Sequence, residues 1–359
     1  MKKALIAMSG GVDSSVTAYI MKQRGYDCIG ITFRMFDKSN PLFRFKNADN
    51  DKDINDAKAI CDKLEIPFIA ADASEEFEKY VINNFVKTYE KGGTPNPCVE
   101  CNRHIKFSLL NKYADEYDCD VIVTGHYADI GFDNGRYYIT RAEDEKKDQS
   151  YVLYPLTQEQ LKKVCFPLAS VTKEEARKIA EDNGFINARK SDSQDICFIP
   201  DGDYAGFICR KTKKTYPKGK FINTAGERLG LHNGIIHYTI GQRKGLGIAL
   251  GFPAYVKCKN IKNNTVTLAT NDELFEKEII VENFNFMAAA SFPEPVKCSV
   301  KIRYSHNFAQ ATAEQINDTT VRLIFDEAQR APSDGQSAVL YDGNKVLGGG
   351  IINTKEKCK

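Results

Sequence analysis

The feature that most constrains the fold lies in residues 4–20, ALIAMSGGVDSSVTAYI: an apolar run, two adjacent glycines, then Val16, Tyr19 and Ile20 at helical spacing before Gly25. A strand that stops at Ser-Gly-Gly and passes into a helix from about Val12 must be followed by a return strand, and CIGITF (28–33) supplies one. That is a βαβ unit, which implies a parallel sheet. Residues 37–53 are polar and without a period, so they read as a loop. INDAKAICDKLEI reads as a helix, PFIAAD as a strand and EEFEKYVINNFVKTYEKGG as an amphipathic helix closed by glycines. CDVIVTGHYADI (119–130) reads as a strand entering another Gly turn. Strands alternating with helices to about residue 200 predict a doubly wound α/β domain, mostly parallel. Beyond it, short alternating segments separated by Gly and Asn predict a small β-rich central domain and then a C-terminal β barrel. The expected boundaries are 1–200, 201–272 and 273–359, and no repeat or low-complexity segment interrupts them.

Fifty basic and 48 acidic residues leave a formal charge of +2, so any nucleic-acid surface is local rather than global. No apolar run reaches the roughly 18–20 residues of a membrane span, and the N-terminus enters a strand pattern rather than a secretory leader. The chain therefore reads as cytoplasmic, without a membrane partner. Eleven cysteines (28, 61, 98, 101, 119, 165, 197, 209, 258, 298, 358) in that setting are expected to be mostly reduced, and most to be small core residues.

The turn at Ser9-Gly10-Gly11 aims backbone N–H groups and a positive helix end at one point, a geometry suited to phosphate. The glycines allow close approach, and Ser9, Ser14 and Ser15 offer hydroxyl donors. The plainer reading is an ordinary strand-to-helix turn capped by Asp13. It is not the Walker pattern, because no Gly-Lys-Ser/Thr follows.

Three cysteines stand apart: Cys98 and Cys101 in GGTPNPCVECNRHIKF, and Cys197 in DSQDICFIP. The prolines of TPNPC predict a rigid loop, a poor place for a packing cysteine. Arg103, His104 and Lys106 are cationic neighbours expected to lower a thiol pKa and favour the thiolate. The competing reading is half a structural zinc site, disfavoured because no second CxxC or His pair is present.

The string SGGVDSS after an apolar strand is similar to the PP-loop of the N-type ATP pyrophosphatases, which cleave ATP between the α and β phosphates and transfer AMP to a carbonyl oxygen. GGTPNPxxxCNxxIKF, TGHYA, KDQSYVLYPL, DSQDICFIP, YTIGQRKGLGI, KIRY and DGQSAV with LGGGII, in that order along nearly the whole chain, resemble the tRNA-specific 2-thiouridylase family. The resemblance implies a PP-loop domain, a small β domain and a barrel, and a reaction replacing O2 of the wobble uridine (U34) of Lys, Glu and Gln acceptor tRNAs with sulfur. It implies ATP with Mg2+ as cofactor, held by Ala7, Met8, Ser9, Gly10, Gly11, Val12, Asp13 and Ser14, with Gly125 near the adenylate and Phe33 as an adenine contact. By position, Cys197 resembles the persulfide-carrying cysteine and Cys101 the partner that releases the sulfur. The persulfide would come from a cysteine desulfurase or sulfur-relay protein.

The target base is expected at Asn96, Pro97 and Cys98. The family pattern there is Asn-Pro-Asp-x-x-Cys, so Cys98 stands where an acid/base Asp is usual, and a thiol does not substitute cleanly for a carboxylate. Cys98, Cys101 and Cys197 are also three thiolates able to hold three irons of a [4Fe-4S] cluster, the fourth presenting sulfide. For tRNA, the resemblance points to His126, Lys147, Asp148, Gln149, Arg303, Tyr304 and Gln336, with Lys301 and Arg303 on one strand face. The alternatives are another PP-loop ligase acting on a small molecule, which gives Cys101 and Cys197 no role, and a non-catalytic tRNA-binding adaptor.

Overall fold

The structure is a computed structural model and describes residues 1–36, 40–43, 50–191 and 196–354. The chain divides into two compact units, residues 1–81, 98–202 and 344–347 forming one and residues 82–97, 203–343 and 348–359 the other.

In the first unit, strands β1 (Lys3–Ala7), β2 (Asp27–Arg34), β3 (Phe68–Asp72), β4 (Val121–Val123), β5 (Ala128–Asp133), β6 (Arg136–Arg141) and β7 (Val164–Cys165) follow in chain order. Five of them form a sheet in the order β3-β2-β1-β4-β7, and every pair is parallel. Ala4 and Ile6 of β1 pack in one cluster with Val16 of the helix Val12–Gln23 and Ala176 and Ala180 of the helix Lys173–Asp182. Leu5 points to the other face and is equally buried. A strand buried on both faces has no polar side to show, which is why β1 reads as a continuous apolar run. Strand order reverses between β1 and β4, and in open α/β sheets the crevice at that reversal holds the ligand.

In residues 119–130 the expected strand is β4, which ends at Val123 before the turn at Gly125, and Ala128 then opens the antiparallel β5–β6 hairpin. Of the loop expected at 37–53, residues 37–39 and 44–49 lie outside the described residues, while Asn50–Asp53 already belong to the helix Asn50–Lys63, whose first turn carries Asp51 and Asp53 as its dipole favours.

In the second unit, β8 (Gly219–Ile222), β9 (Arg228–His232), β10 (Tyr255–Asn260) and β11 (Thr265–Ala269) form a sheet in the order β10-β11-β8-β9. The helix Tyr204–Thr212 sets Tyr204 against the rings of Phe85 and Tyr89. Strands β12 (Phe275–Phe286), β13 (Val296–Lys301), β14 (Ala309–Asn317), β15 (Thr320–Arg330), β16 (Ser337–Asp342) and β17 (Lys345–Asn353) run in the order β12-β15-β14-β13-β16-β17. Pairing of β12 with β17 closes them into a six-stranded barrel, which removes the open edges. Among the described residues no helix is long and apolar enough to cross a membrane.

Candidate active site

β1 pairing with β2 carries on to Met8, whose N–H donates to the Ile31 carbonyl at 2.8 Å. The chain then turns through Ser9, Gly10 and Gly11. Gly10 has φ +69°, and a Cβ there would collide with the Asp53 carbonyl, so only glycine fits. Gly11 is the N-cap of the helix Val12–Gln23 and provides no side-chain cap. The helix therefore begins without the usual side-chain acceptor, which leaves its N-terminus suited to an anion. The serine hydroxyls face inward: Ser14 Oγ accepts from Ser9 N–H at 3.2 Å, and the Ser14 and Ser15 hydroxyls both donate to the Gly11 carbonyl at 3.0 Å. A Cβ on Gly125, just past β4, would lie 3.0 Å from Asp13 C and Ser14 N, so this glycine lets the end of β4 approach the start of the helix.

Asp13 is not a cap. Its Oδ1 accepts from the Tyr127 hydroxyl at 2.8 Å, and its two oxygens receive the Lys173 ammonium at 2.7 and 2.8 Å. Lys173 is the first residue of a helix capped by a Thr172/Glu175 capping box. Behind the turn, the Gly10 carbonyl accepts from Asn187 Nδ2 and Lys190 Nζ, both at 3.0 Å. The sequence reading missed Tyr127, Lys173, Asn187 and Lys190. Only the Thr-x-x-Glu box was a visible signal, and it fixes where the helix starts rather than where Lys173 reaches.

The thiols are arranged differently from expectation. The loop expected over TPNPC holds for Thr94, Pro95 and Asn96 but ends there: Pro97 opens the helix Pro97–Cys101, a position where its fixed φ fits and its missing N–H costs nothing. A π-helical turn, Asn102–Lys106, follows directly. Cys98 is exposed and Cys101 buried. Burial pushes the Cys101 thiol up to about 11, with Lys106 pulling down and Cys98 pushing up. Cys197 is exposed as a residue, yet atoms packed around its sulfur push its thiol up to about 12, and Cys101 and Cys98 add to the rise. These mutual effects place the three sulfurs in one neighbourhood. The expected lowering by cations fails because burial outweighs it. Of the three expected neighbours only Lys106 acts on both thiols, while Arg103 and His104 lie 3.7 and 3.5 Å from the Glu100 carboxylate. Both thiols are therefore protonated near neutral pH. Phe198, beside Cys197, is buried edge-on against Phe77 at 5.7 Å and anchors that end of the segment. Among the described residues no group of three or more His, Cys, Asp or Glu is arranged to hold a metal ion.

The residues expected at RNA occupy mixed positions. His126 is buried, its Nδ1 2.7 Å from Thr124 Oγ1 and its ring stacked on Phe107 at 5.9 Å; burial, then Lys106, holds its pKa well below the usual range. Asp148 is buried and accepts from the Ala142 and Ser150 N–H groups and the Ser150 hydroxyl. Gln149 pairs with the Tyr127 backbone in both directions, at 2.8 and 3.0 Å. Lys147 is half-buried. Thus Gln149 buttresses the turn after β4, and Asp148 holds together the stretch from Ala142 to Ser150.

Phe33 lies on β2 with its ring 5.9 Å from that of Tyr113, and Asn96 is half-buried. In the second unit, β13 ends at Lys301, so Lys301 and Arg303 do not share a strand face. Arg303 Nη2 donates to the carbonyls of Ile240 and Ala331 and to Ser333 Oγ. Gln336 donates to the Thr94 and Pro95 carbonyls, while Tyr304 is 45% exposed.

A parallel sheet with a glycine turn at its reversal point, an uncapped helix start and a gathered set of thiols defines a PP-loop-type nucleotide-binding α/β protein equipped for sulfur chemistry. Residues 2–201 match the tRNA methyl transferase HUP domain, residues 205–270 the tRNA methyl transferase PRC-barrel domain and residues 276–352 the aminomethyltransferase beta-barrel domain. The chain is 45% identical over 353 residues to the tRNA-specific 2-thiouridylase MnmA of Clostridioides difficile (strain 630), covering 98% of each. It is 46% identical over 356 residues to tRNA-specific 2-thiouridylase MnmA 1 of Clostridium tetani (strain Massachusetts / E88), covering 99% of this chain and 98% of that protein. The chain belongs to the tRNA-specific 2-thiouridylase family. A distant structural likeness is to a 4-thiouridine synthetase–RNA complex with bound ATP, with a TM-score of 0.38 and 17% identity over 53% of this chain and 43% of that one.

Proposed function

We propose that this protein is an ATP-dependent tRNA-uridine 2-sulfurtransferase that acts in the cytoplasm on U34 of Lys, Glu and Gln acceptor tRNAs. The observation that carries the reading is the gathering of Cys98, Cys101 and Cys197 in the same compact unit as the phosphate-binding turn. A small-molecule ligase gives those thiols no work, and an adaptor needs neither them nor the nucleotide turn.

In the reaction, the uridine O2 attacks the α phosphorus of ATP, pyrophosphate leaves and the N3 proton is lost. The O2–adenylate is a leaving group where the carbonyl oxygen was not. The terminal sulfur of a Cys197 persulfide attacks C2, forming C–S as AMP departs. The Cys101 thiolate then attacks the Cys197 sulfur, breaking S–S, and the released thiouridine takes a proton at N3. A Cys101–Cys197 disulfide remains for an external thiol to reduce, and a cysteine desulfurase or sulfur-relay protein reloads Cys197.

The residues divide accordingly. Ala7, Met8, Ser9, Gly10, Gly11, Val12, Asp13 and Ser14 hold the phosphates of ATP with its Mg2+, for which the Asp13 carboxylate is the suitable hard ligand. Gly125 and Phe33 border the adenosine, and Asn96, Pro97 and Cys98 the base. We assign tRNA contact to Tyr304, which is exposed, and to Lys147, Gln336, Arg303, Asp148, Gln149 and His126. The domains divide at 1–200, 201–272 and 273–359. Cys98, Cys101 and Cys197 are also the residues that would hold a [4Fe-4S] cluster, whose chemistry would be delivery of sulfide on iron.

The test uses unmodified tRNA(Lys), ATP, cysteine and a desulfurase, with thiolated tRNA read by retardation in a mercury-containing gel. Retarded tRNA and AMP formed only when tRNA is present are expected. AMP formed without RNA would overturn the reading in favour of a small-molecule ligase. Iron and acid-labile sulfide, measured anaerobically in the wild type and in Cys98→Ser, decide between the persulfide and cluster routes.

A further inference from the structure

We propose that Asn187 and Lys190 are positioning residues that fix the direction of the Gly10–Gly11 peptide. The proposal rests on the nucleotide reading of that turn. The Lys190 ammonium has three protons and three acceptors: the Gly10 carbonyl at 3.0 Å, Asp53 Oδ1 at 2.7 Å and Asp56 Oδ2 at 2.8 Å. The Asn187 amide spends its two protons on the same Gly10 carbonyl at 3.0 Å and on Ser15 Oγ at 2.9 Å. Asn187 is 3% exposed, and its Oδ1 has no hydrogen-bond partner among the described residues. Turning the amide over would set two carbonyl oxygens against each other, so donation to Gly10 decides its orientation even with a buried acceptor left over.

The consequence follows from peptide geometry. In a planar trans peptide the carbonyl of residue 10 and the N–H of residue 11 point in opposite directions. Two donors holding the Gly10 carbonyl on one side therefore aim the Gly11 N–H to the other, at the start of the helix Val12–Gln23. One of those donors is a cation, which polarises the peptide and strengthens its N–H as a donor. Gly10, at φ +69°, has no side chain to hold the peptide, so the orientation must be imposed from outside.

The experiment measures calorimetric binding of α,β-methylene-ATP to the full chain, and the KM for ATP and kcat for AMP formation. K190M is expected to weaken analogue binding and raise KM about tenfold with kcat within threefold. K190R, which keeps a charged donor, recovers most of the loss, and N187A weakens binding about threefold. A folded K190M that binds as tightly as the wild type overturns the positioning role. If K190M does not fold, N187A decides: wild-type affinity there overturns the proposal. A wild type that binds nucleotide but thiolates no tRNA would instead overturn the proposed function and leave the positioning role standing.

Discussion

Lys173→Met removes the cation that holds Asp13 and leaves a carboxylate beside the phosphate turn with only the Tyr127 hydroxyl as a charge-stabilising side-chain donor. Removing one partner of a fully buried pair costs about 3–5 kcal/mol. Here the Lys173 side chain is 10% exposed but that of Asp13 is 33% exposed, so water recovers part of the loss. A reduced value of about 2 kcal/mol is expected, in the range for hydrogen bonds to charged groups. For a unit of this size that is a fall in Tm of about 4–8 °C. The assay is a double-mutant cycle in urea with Lys173→Met, Asp13→Asn and the pair, followed on the transition of the N-terminal unit. A coupling energy of about 1.5 kcal/mol or more is expected, because each single variant strands the other group and the double variant strands neither. Coupling below about 0.5 kcal/mol would refute the claim that Lys173 is what holds Asp13 in place.

Cys101→Ser and Cys197→Ser should each keep tRNA-dependent AMP formation within about threefold while thiolation falls at least about a hundredfold; parallel loss of both activities would place these thiols in adenylation instead. Gly10→Ala should lose nucleotide binding by more than about tenfold, since a Cβ at φ +69° meets the Asp53 carbonyl, and calorimetry giving wild-type affinity would contradict this. With the Cys101 thiol near 11, its thiolate fraction grows about tenfold per pH unit, so single-turnover sulfur release from a preloaded enzyme should rise steeply from pH 7 to 9; a flat profile would show that another step limits it. Stability should move the opposite way. Burial raises Cys28 to about 11 and Cys61 and Cys298 to about 12, so the folded chain holds these protons more tightly than the unfolded one. That contribution is whole below the ordinary thiol value of about 8.5 and drains away as pH rises through 11 to 12. Urea midpoints steady from pH 7 to 8 and falling above about 9 are expected.

The elements that the sequence made legible are those with a local cause. β1 and its helix could be read because an apolar run, two glycines and a 3.6-residue period are adjacent in the chain. The π-helical turn Asn102–Lys106 left no such mark. TPNPC misled because two prolines close together read as a loop, although Pro at the first helical position is an equally good reading that only the neighbouring fold selects. Nor does the sequence show that the Asp148 carboxylate and the Gln149 amide fold inward to satisfy backbone N–H groups. Lys173 and Lys190 act across 160 and 180 residues, on Asp13 and Gly10, and no spacing rule reaches that far.

The corrected thiol environment changes how the site must work. Had cations kept Cys101 and Cys197 ionised at rest, both sulfurs would be open to oxidation and to pairing with each other before any uridine was activated. Burial instead keeps both protonated, and a thiol is a poor nucleophile compared with its thiolate. On the persulfide route proposed above, the terminal sulfur ionises readily near neutral pH, so loading Cys197 would supply the first nucleophile, and Cys101 would have to lose its proton only after the C–S bond had formed. Lys106, which already opposes the rise at both cysteines, is the group placed to favour that loss. On that route, the difference in acidity between a persulfide and the buried Cys101 thiol favours disulfide formation as the last step.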